Sequence, residues 1–305
     1  MISLRWSAPP ERLAAVRVVV FGWAALYLTI RSPAVVDIDA SARTFDGLGG
    51  VWWLDDPLSG SVLTLLLLVT VAASVAAASG LRYGLSAPVA AIGVTVLLSH
   101  RLSFGQVLHT ENLLVLHTLA LACMPAADAW RVDGRTPDRL ESERVYGWAL
   151  QVLTAITTLA YVVAAWAKIR NGGLDWMSGD VLRNHVAHDN LRKELLGDPS
   201  SPVAPHLVPH PWVFAPMAWI SMVVELAAPL MVVAGARLRR WWVVSAWLFH
   251  AGVLVVMAIL FPYQLLLIAF VPMLHGERIA ETAPVRWARG RIERVVSRRG
   301  RLRAR

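Results

Sequence analysis

Residues 60–79 read GSVLTLLLLVTVAASVAAAS, twenty consecutive positions without a charged side chain. At about 1.5 Å of rise per helical residue, such a run measures about 30 Å, the thickness of the hydrocarbon layer of a bilayer. Further apolar segments lie at about 12–31, 84–99, 109–124, 145–168, 212–234, 241–260 and 262–275. The chain is therefore expected to be an all-α polytopic membrane bundle of about eight transmembrane helices. A single helix over 241–275 would be about 50 Å long, too long for one crossing, and the Phe261-Pro262-Tyr263 break offers a place to turn.

Composition agrees with this reading. Of the 305 residues 56% are apolar and only 16% charged, with a mean hydropathy of +0.53, which leaves too few charges to coat a soluble globule. Trp6, Trp52, Trp53, Trp130, Trp148, Trp166, Trp176, Trp212, Trp241 and Trp242 stand near the ends of apolar runs, where an amphipathic ring meets headgroups on one side and hydrocarbon on the other. The net charge of +8 would suit nucleic acid if it were spread over a face, but ten of the 29 Lys and Arg fall after residue 277. A basic tail beside a membrane reads as a contact with anionic lipids, not with nucleic acid. The single cysteine, Cys123, excludes an intrachain disulfide and a cysteine metal cluster. Arg17 interrupts the first apolar segment and no small-x-small cleavage site follows it, so this segment is expected to be an uncleaved first span.

Charge bias sets the expected orientation. With eight spans and a cytoplasmic N-terminus, twenty of the 29 Lys and Arg face the cytoplasm and eight face outward, Arg17 lying inside a span. Seven spans would place the ten tail arginines outside, against the positive-inside tendency. The expected organisation is a cell-membrane domain over 1–276 with an outer loop at 171–211, and a basic cytoplasmic tail over 277–305. Within the loop, GDVLRNHVAHDNLRKELLG has the pattern of an amphipathic surface helix, and DPSSPVAPHLVPHP that of a proline-rich linker. In the tail, Val285, Ala288, Ile292, Val295 and Val296 share one helical face, as in a basic surface helix.

Ionisable groups inside spans are costly, which makes each a candidate for function. Thr154, Thr157, Tyr161 and Lys168 follow helical spacing and form a polar stripe that should face other helices and ends in an amine at the outer boundary. Lys168 reads either as part of a functional site or as an interfacial lysine reaching for water. Glu225 lies mid-span with Pro229 four residues on, which predicts a kink and a free carbonyl beside a carboxyl. Glu225, His117 and His250 read either as catalytic or as interhelical hydrogen bonds. Arg17 is expected to be structural, paired with an acid or with backbone carbonyls. His109, Glu111 and Asn112 stand at the outer mouth of the fourth span, either lining a cavity or solvated. His185/His188 and His206/His210 have no acidic partner at tight spacing, so no metal site is expected. There is no Walker loop, GxGxxG or nucleophile elbow. A transporter is disfavoured, since neither an internal repeat nor paired broken helices are visible.

The run YVVAAWAKI followed by DWMSG, from Tyr161 through Lys168 to Trp176 and Gly179, resembles the lysine and W-x-x-G signature of the vitamin K-dependent γ-glutamyl carboxylases and the related bacterial HTTM (horizontally transferred transmembrane) domain. Phe249-His250, then ten residues, then Phe261-Pro262-Tyr263 is a second match, and Trp130-x-Val132-Asp133-Gly134 a third. In that family a lysine amine deprotonates a reduced quinone at an outward-facing membrane site. The resemblance implies Lys168 as the base and His250 as a second pocket residue; with the polar residues read above, the candidate catalytic set is Lys168, His250 and Glu225, and the candidate substrate-side set is His109, Glu111, Asn112, His117, Tyr161, Trp176 and Tyr263. It implies a menaquinol- or vitamin K hydroquinone-like cofactor and a peptide or small-molecule substrate. An amine acts as a base near neutral pH only where desolvation or a neighbouring positive charge disfavours its protonated form. Three departures stand out: the extra stretch between Lys168 and Trp176; the family's histidine near the start of the fourth span, which has no clean counterpart because His109 and His117 lie on either side of its place; and the end of the chain after the membrane domain, where carboxylases continue into a large soluble domain. The alternative function is a non-catalytic accessory protein for peptide or toxin maturation, similar to the membrane component that matures the sporulation-delaying toxin, acting with a separate soluble partner.

Overall fold

The computed structural model describes residues 6–37, 44–105, 109–133 and 141–276. In chain order the helices are α1 (Pro10–Ile30), α2 (Ser32–Val36), α3 (Gly60–Ser79), α4 (Tyr83–Leu102), α5 (Asn112–Ala122), α6 (Glu143–Gly172), α7 (Asp175–Ser178), α8 (Asp180–Leu196), α9 (Ala204–Leu207), α10 (Phe214–Ala227), α11 (Ala236–Met257) and α12 (Pro262–Leu265). The described residues contain no strand. The quoted run 60–79 is α3 from end to end, and Gly80 closes it at φ +76°, a conformation that a Cβ would strain.

Six segments are long and apolar enough to cross a bilayer: α1, α3, α4, α6, the stretch Pro211–Val232 that contains α10, and α11. The other two of the eight expected crossings are not helices of that length. α5 has 11 residues, about 16 Å, and ends before Pro125; over 262–275 the four-residue α12 gives way to a 3-10 turn at Ile268–Met273 containing Pro272. Each proline removes an N–H that a continuing helix would need. Both segments pack one face into the bundle, with Leu114, His117, Leu121, Ala269 and Phe270 fully buried, while Leu116, Leu119, Leu266 and Leu267 are exposed. Irregular backbone at membrane depth is tolerated where protein surrounds it.

Most of the long helices turn apolar side chains outward. Only 28% of the apolar window of α3 and of α11 is buried, and Leu65, Leu68, Val69 and Val75 are exposed. Water would penalise such a surface heavily, whereas lipid matches it, so the chain is an integral membrane protein. On α6 the exposed rings Trp148 and Trp166 are separated by about 27 Å of helix, close to the hydrocarbon thickness. Three tryptophans depart from the interfacial pattern. Trp6, Trp176 and Trp242 are buried: Trp6 lies 4.0 Å beneath the Arg239 guanidinium, and Trp242 Nε1 donates to the Val224 carbonyl at 2.9 Å.

Two arginines tie up one end of the bundle. Arg12 Nε donates to the Leu274 carbonyl at 3.0 Å, which sets the last described residues beside the start of α1. Arg17, fully buried, donates to four carbonyls: Ala78 at 3.2 Å, Ala126 at 2.8 Å, Ala129 at 2.9 Å and Trp130 at 2.6 Å. Its partners are backbone carbonyls at the C-terminal end of α3 and in the turn after α5, where helix ends leave acceptors unsatisfied.

At the other end, the segment after α6 folds back on the bundle instead of lying free. α8 forms as expected, but it docks on the C-terminal end of α11. Asn190 Nδ2 donates to the Val256 carbonyl at 3.1 Å, Ser201 Oγ to Val255 at 2.6 Å, and Lys193 Nζ to Met257 at 2.5 Å. Three successive orphan carbonyls of a helix end are thus capped from outside it. The proline-rich stretch is consequently not a plain linker, since Ser201 and Ala204 are buried and α9 forms within it. Gly134 and the basic tail with its apolar face lie outside the described residues.

Candidate functional site

The polar stripe of α6 faces inward. Thr154 and Thr157 are fully buried, Tyr161 nearly so, and Lys168 sits one turn from the helix end at the level of Trp166. Lys168 Nζ forms an ion pair with Glu225 Oε1, and Glu225 is only 2% exposed. The ammonium also lies 5.2 Å from the Trp176 ring centre and 5.5 Å from that of Phe249, within cation–π range.

Local sequence explains how each partner arrives. Pro229 cannot donate to the Glu225 carbonyl, and α10 gives way at Ala228 to a 3-10 turn. The Glu225 carbonyl is not left free, however: the Ala228 N–H takes it, three residues on, as tightening the last turn requires. Trp176 is delivered by the four-residue α7, which ends at Gly179 with φ +88°. A Cβ at Gly179 would fall 2.3 Å from the Ala215 nitrogen and 2.4 Å from the Phe214 carbonyl carbon. The glycine of the W-x-x-G motif is therefore where the turn after α6 presses directly on the backbone at the start of α10.

Next to the ion pair, Tyr161 hydroxyl and His250 Nε2 share a hydrogen bond of 2.9 Å. The His250 ring packs against Phe261 at 4.9 Å, and the exposed His109 ring packs against the same Phe261 at 5.5 Å. Three buried polar atoms of this cluster have no hydrogen-bond partner among the described residues: Glu225 Oε2, Trp176 Nε1 and His250 Nδ1. One accepts only, one donates only, and one can do either. Unpaired buried atoms cost about 1–3 kcal/mol each, so all three residues carry polar capacity that the described residues leave unused.

The remaining expected site residues form two other groups. His117, at the centre of the bundle, shares hydrogen bonds with Tyr263 hydroxyl at 2.8 Å and Thr157 hydroxyl at 3.1 Å. Glu111 is buried; Tyr27 hydroxyl and Arg101 donate to Oε1 at 2.5 and 2.6 Å, and Thr110 donates to Oε2. It is neither a solvated loop residue nor part of the Lys168 cluster. Asn112 is exposed, and its side chain makes no hydrogen bond among the described residues. Phe249, Phe261 and Trp242 were not singled out as site residues, although Trp242 packs edge-on against Tyr161 at 5.1 Å. Two of these aromatics stood inside the quoted FH and FPY motifs, but aromatics are too common in a membrane chain to signal a site.

The HTTM domain family matches residues 7–275, a stretch that takes in every group just described. The chain belongs to the HTTM domain family. No curated protein and no solved structure matches it. In this HTTM chain the motif residues quoted from the sequence, Lys168, Trp176, Gly179, His250 and Phe261, come together from four separate elements in one neighbourhood.

Proposed function

We propose that this HTTM protein is a membrane enzyme that modifies a small molecule or peptide at its Lys168 end, with Lys168 as base and Glu225 as the group that exchanges protons with it. The contact between the Lys168 amine and a buried carboxylate, enclosed by Trp176 and Phe249, carries the reading. A neighbouring carboxylate favours the ammonium form, so Lys168 rests protonated and becomes a base only once its proton has passed to Glu225 Oε1, the acceptor beside it. Both groups are held by helices whose partners fix them, so little rearrangement is needed for transfer. A hydroquinone suits the unpartnered atoms: Glu225 Oε2 and His250 Nδ1 would hold its hydroxyl, with Trp176, Phe249 and Phe261 around its ring. Such a cofactor supplies an acidic hydroxyl and two electrons that molecular oxygen can take up. The charge distribution along the chain supports both termini in the cytoplasm and the Lys168 end outside.

The test is oxygen uptake by the purified protein in lipid nanodiscs supplied with a short-chain menaquinol. Uptake above that of empty nanodiscs is expected, falling by about 10²-fold or more in Lys168→Ala at unchanged abundance. Equal uptake by Lys168→Ala and the parent would end the enzyme reading. A second reading, an accessory protein for peptide maturation, is favoured by the exposed Leu174, Leu191 and Leu195 at the same end, an apolar surface available to a soluble partner or peptide. Under it, Lys168→Ala keeps full function.

A further inference from the structure

The Lys168 cluster is not an isolated polar island. Along α6, Gln151, Thr154, Thr157, Tyr161 and Lys168 follow one another at helical spacing, and the first four are at least nine-tenths buried. Seventeen residues separate Gln151 from Lys168, about 26 Å of rise, nearly the full hydrocarbon thickness. Every level of this column except that of Thr154 is met by polar groups from other elements. Gln151 accepts from the Trp6 N–H at 3.2 Å and donates to the Val232 carbonyl at 3.2 Å, at the end of the bundle opposite Lys168. Thr157 meets His117, which in turn meets Tyr263, and donates to the Ala269 carbonyl at 3.0 Å. Tyr161 meets His250, and Lys168 meets Glu225.

A bundle held by packing alone has no need of so many groups that are costly to bury in hydrocarbon, and chains of ionisable and hydroxyl groups inside membranes mark proton relays. A second observation is independent of the first. The breaks in the column coincide with residues bearing unpartnered buried atoms: Thr154 Oγ1 between Gln151 and the His117 group, and Gln264 Oε1 and His250 Nδ1 on residues either side of the break between Tyr263 and Tyr161. Buried waters satisfy such atoms where the space admits one, each bonding about two to four polar groups.

We propose that this column is a hydrated proton path that connects the Lys168–Glu225 pair with the aqueous phase at the Trp6 end, across the membrane from the pair. The proposal takes its destination from the enzyme reading above, but its test requires no turnover. Glu225 is faced by Lys168 and Tyr161 from α6, with His250 of α11 behind the tyrosine.

The full chain carrying Cys123→Ala is oriented in phosphatidylcholine/phosphatidylglycerol vesicles, and Thr154→Cys is compared with Val163→Cys, a lipid-facing position on the same helix. A membrane-impermeant thiosulfonate is expected to label the Thr154→Cys protein at least about tenfold faster than the other, and only from the Trp6 side, because the thiol ionises only in water. Equal rates, or labelling from the Lys168 side alone, overturn the path. Should Thr154→Cys fail to fold, infrared spectroscopy of the unsubstituted chain decides. The Glu225 carboxyl band, identified by its loss in Glu225→Gln, should follow the pH of the Trp6 compartment and respond about tenfold more slowly in His117→Leu. A band that follows the other compartment, or is indifferent to His117→Leu, refutes the proposal. Oxygen uptake with no path, or a path with no uptake, separates this inference from the enzyme reading.

Discussion

Replacing Arg17 by leucine removes a fully buried guanidinium that donates to the carbonyls of Ala78, Ala126, Ala129 and Trp130. In water-soluble proteins a hydrogen bond from a charged donor is worth about 1.5–3 kcal/mol, but interhelical bonds within membranes average about 0.6 kcal/mol. Four bonds at the lower value amount to about 2.4 kcal/mol. Leucine also leaves the acceptors at the end of α3 and in the turn after α5 without partners, in a place that water reaches poorly. The expected loss is about 3–5 kcal/mol, the upper range for single substitutions. Lysine at the same position keeps the charge but not the planar fork that serves several carbonyls at once, so Arg17→Lys should recover less than half of it. Equilibrium unfolding in bicelles, followed by tryptophan fluorescence, measures both. A change below about 1 kcal/mol in Arg17→Leu would mean that the carbonyls find other partners, and the anchoring role of Arg17 would be refuted.

Gly179→Ala places a Cβ 2.3 Å from the Ala215 nitrogen at a φ of +88°; a loss of about 2–4 kcal/mol is expected, with a shift in Trp176 fluorescence as α7 moves away from Lys168. Parent-like stability and emission would show that the turn yields freely. Burial alone would raise the Asp189 carboxyl, but the hydrogen bonds and charges of Lys193 and Arg192 outweigh it and hold the group below its ordinary range. A carboxyl lowered in the folded state stabilises it fully above the unfolded value, about 3.9, and that contribution is lost as pH falls through the lower folded value. Protection factors across 180–204, corrected for intrinsic exchange, should therefore fall below about pH 4 in the parent, and Asp189→Asn should flatten that fall.

Spacing along one helix was readable in the residues. Thr154, Thr157, Tyr161 and Lys168 were placed on one inward face by their intervals alone, and all four lie there. The proline four residues after Glu225 announced a break, and the break occurs at Ala228. What the intervals could not give was pairing between helices. Tyr161 with His250 and His117 with Tyr263 are separated by 89 and 146 residues, so nothing local encodes which polar group meets which. The expected free carbonyl at Glu225 failed for a local reason of another kind, because a neighbouring N–H closed a tighter turn once Pro229 could not donate.

Taken by itself, the order of residues determined that this chain lives in lipid, where its helices run, and which polar side chains must turn away from hydrocarbon. These follow from transfer energies and helical period, which act residue by residue. Only the tertiary structure decided that two of the apolar segments form helices too short to cross, that Glu111 belongs to an arginine and Tyr27 rather than to Lys168, and that α8 caps the end of α11. Those outcomes depend on which surfaces remain to be filled and which carbonyls remain unpaired once the long helices have packed.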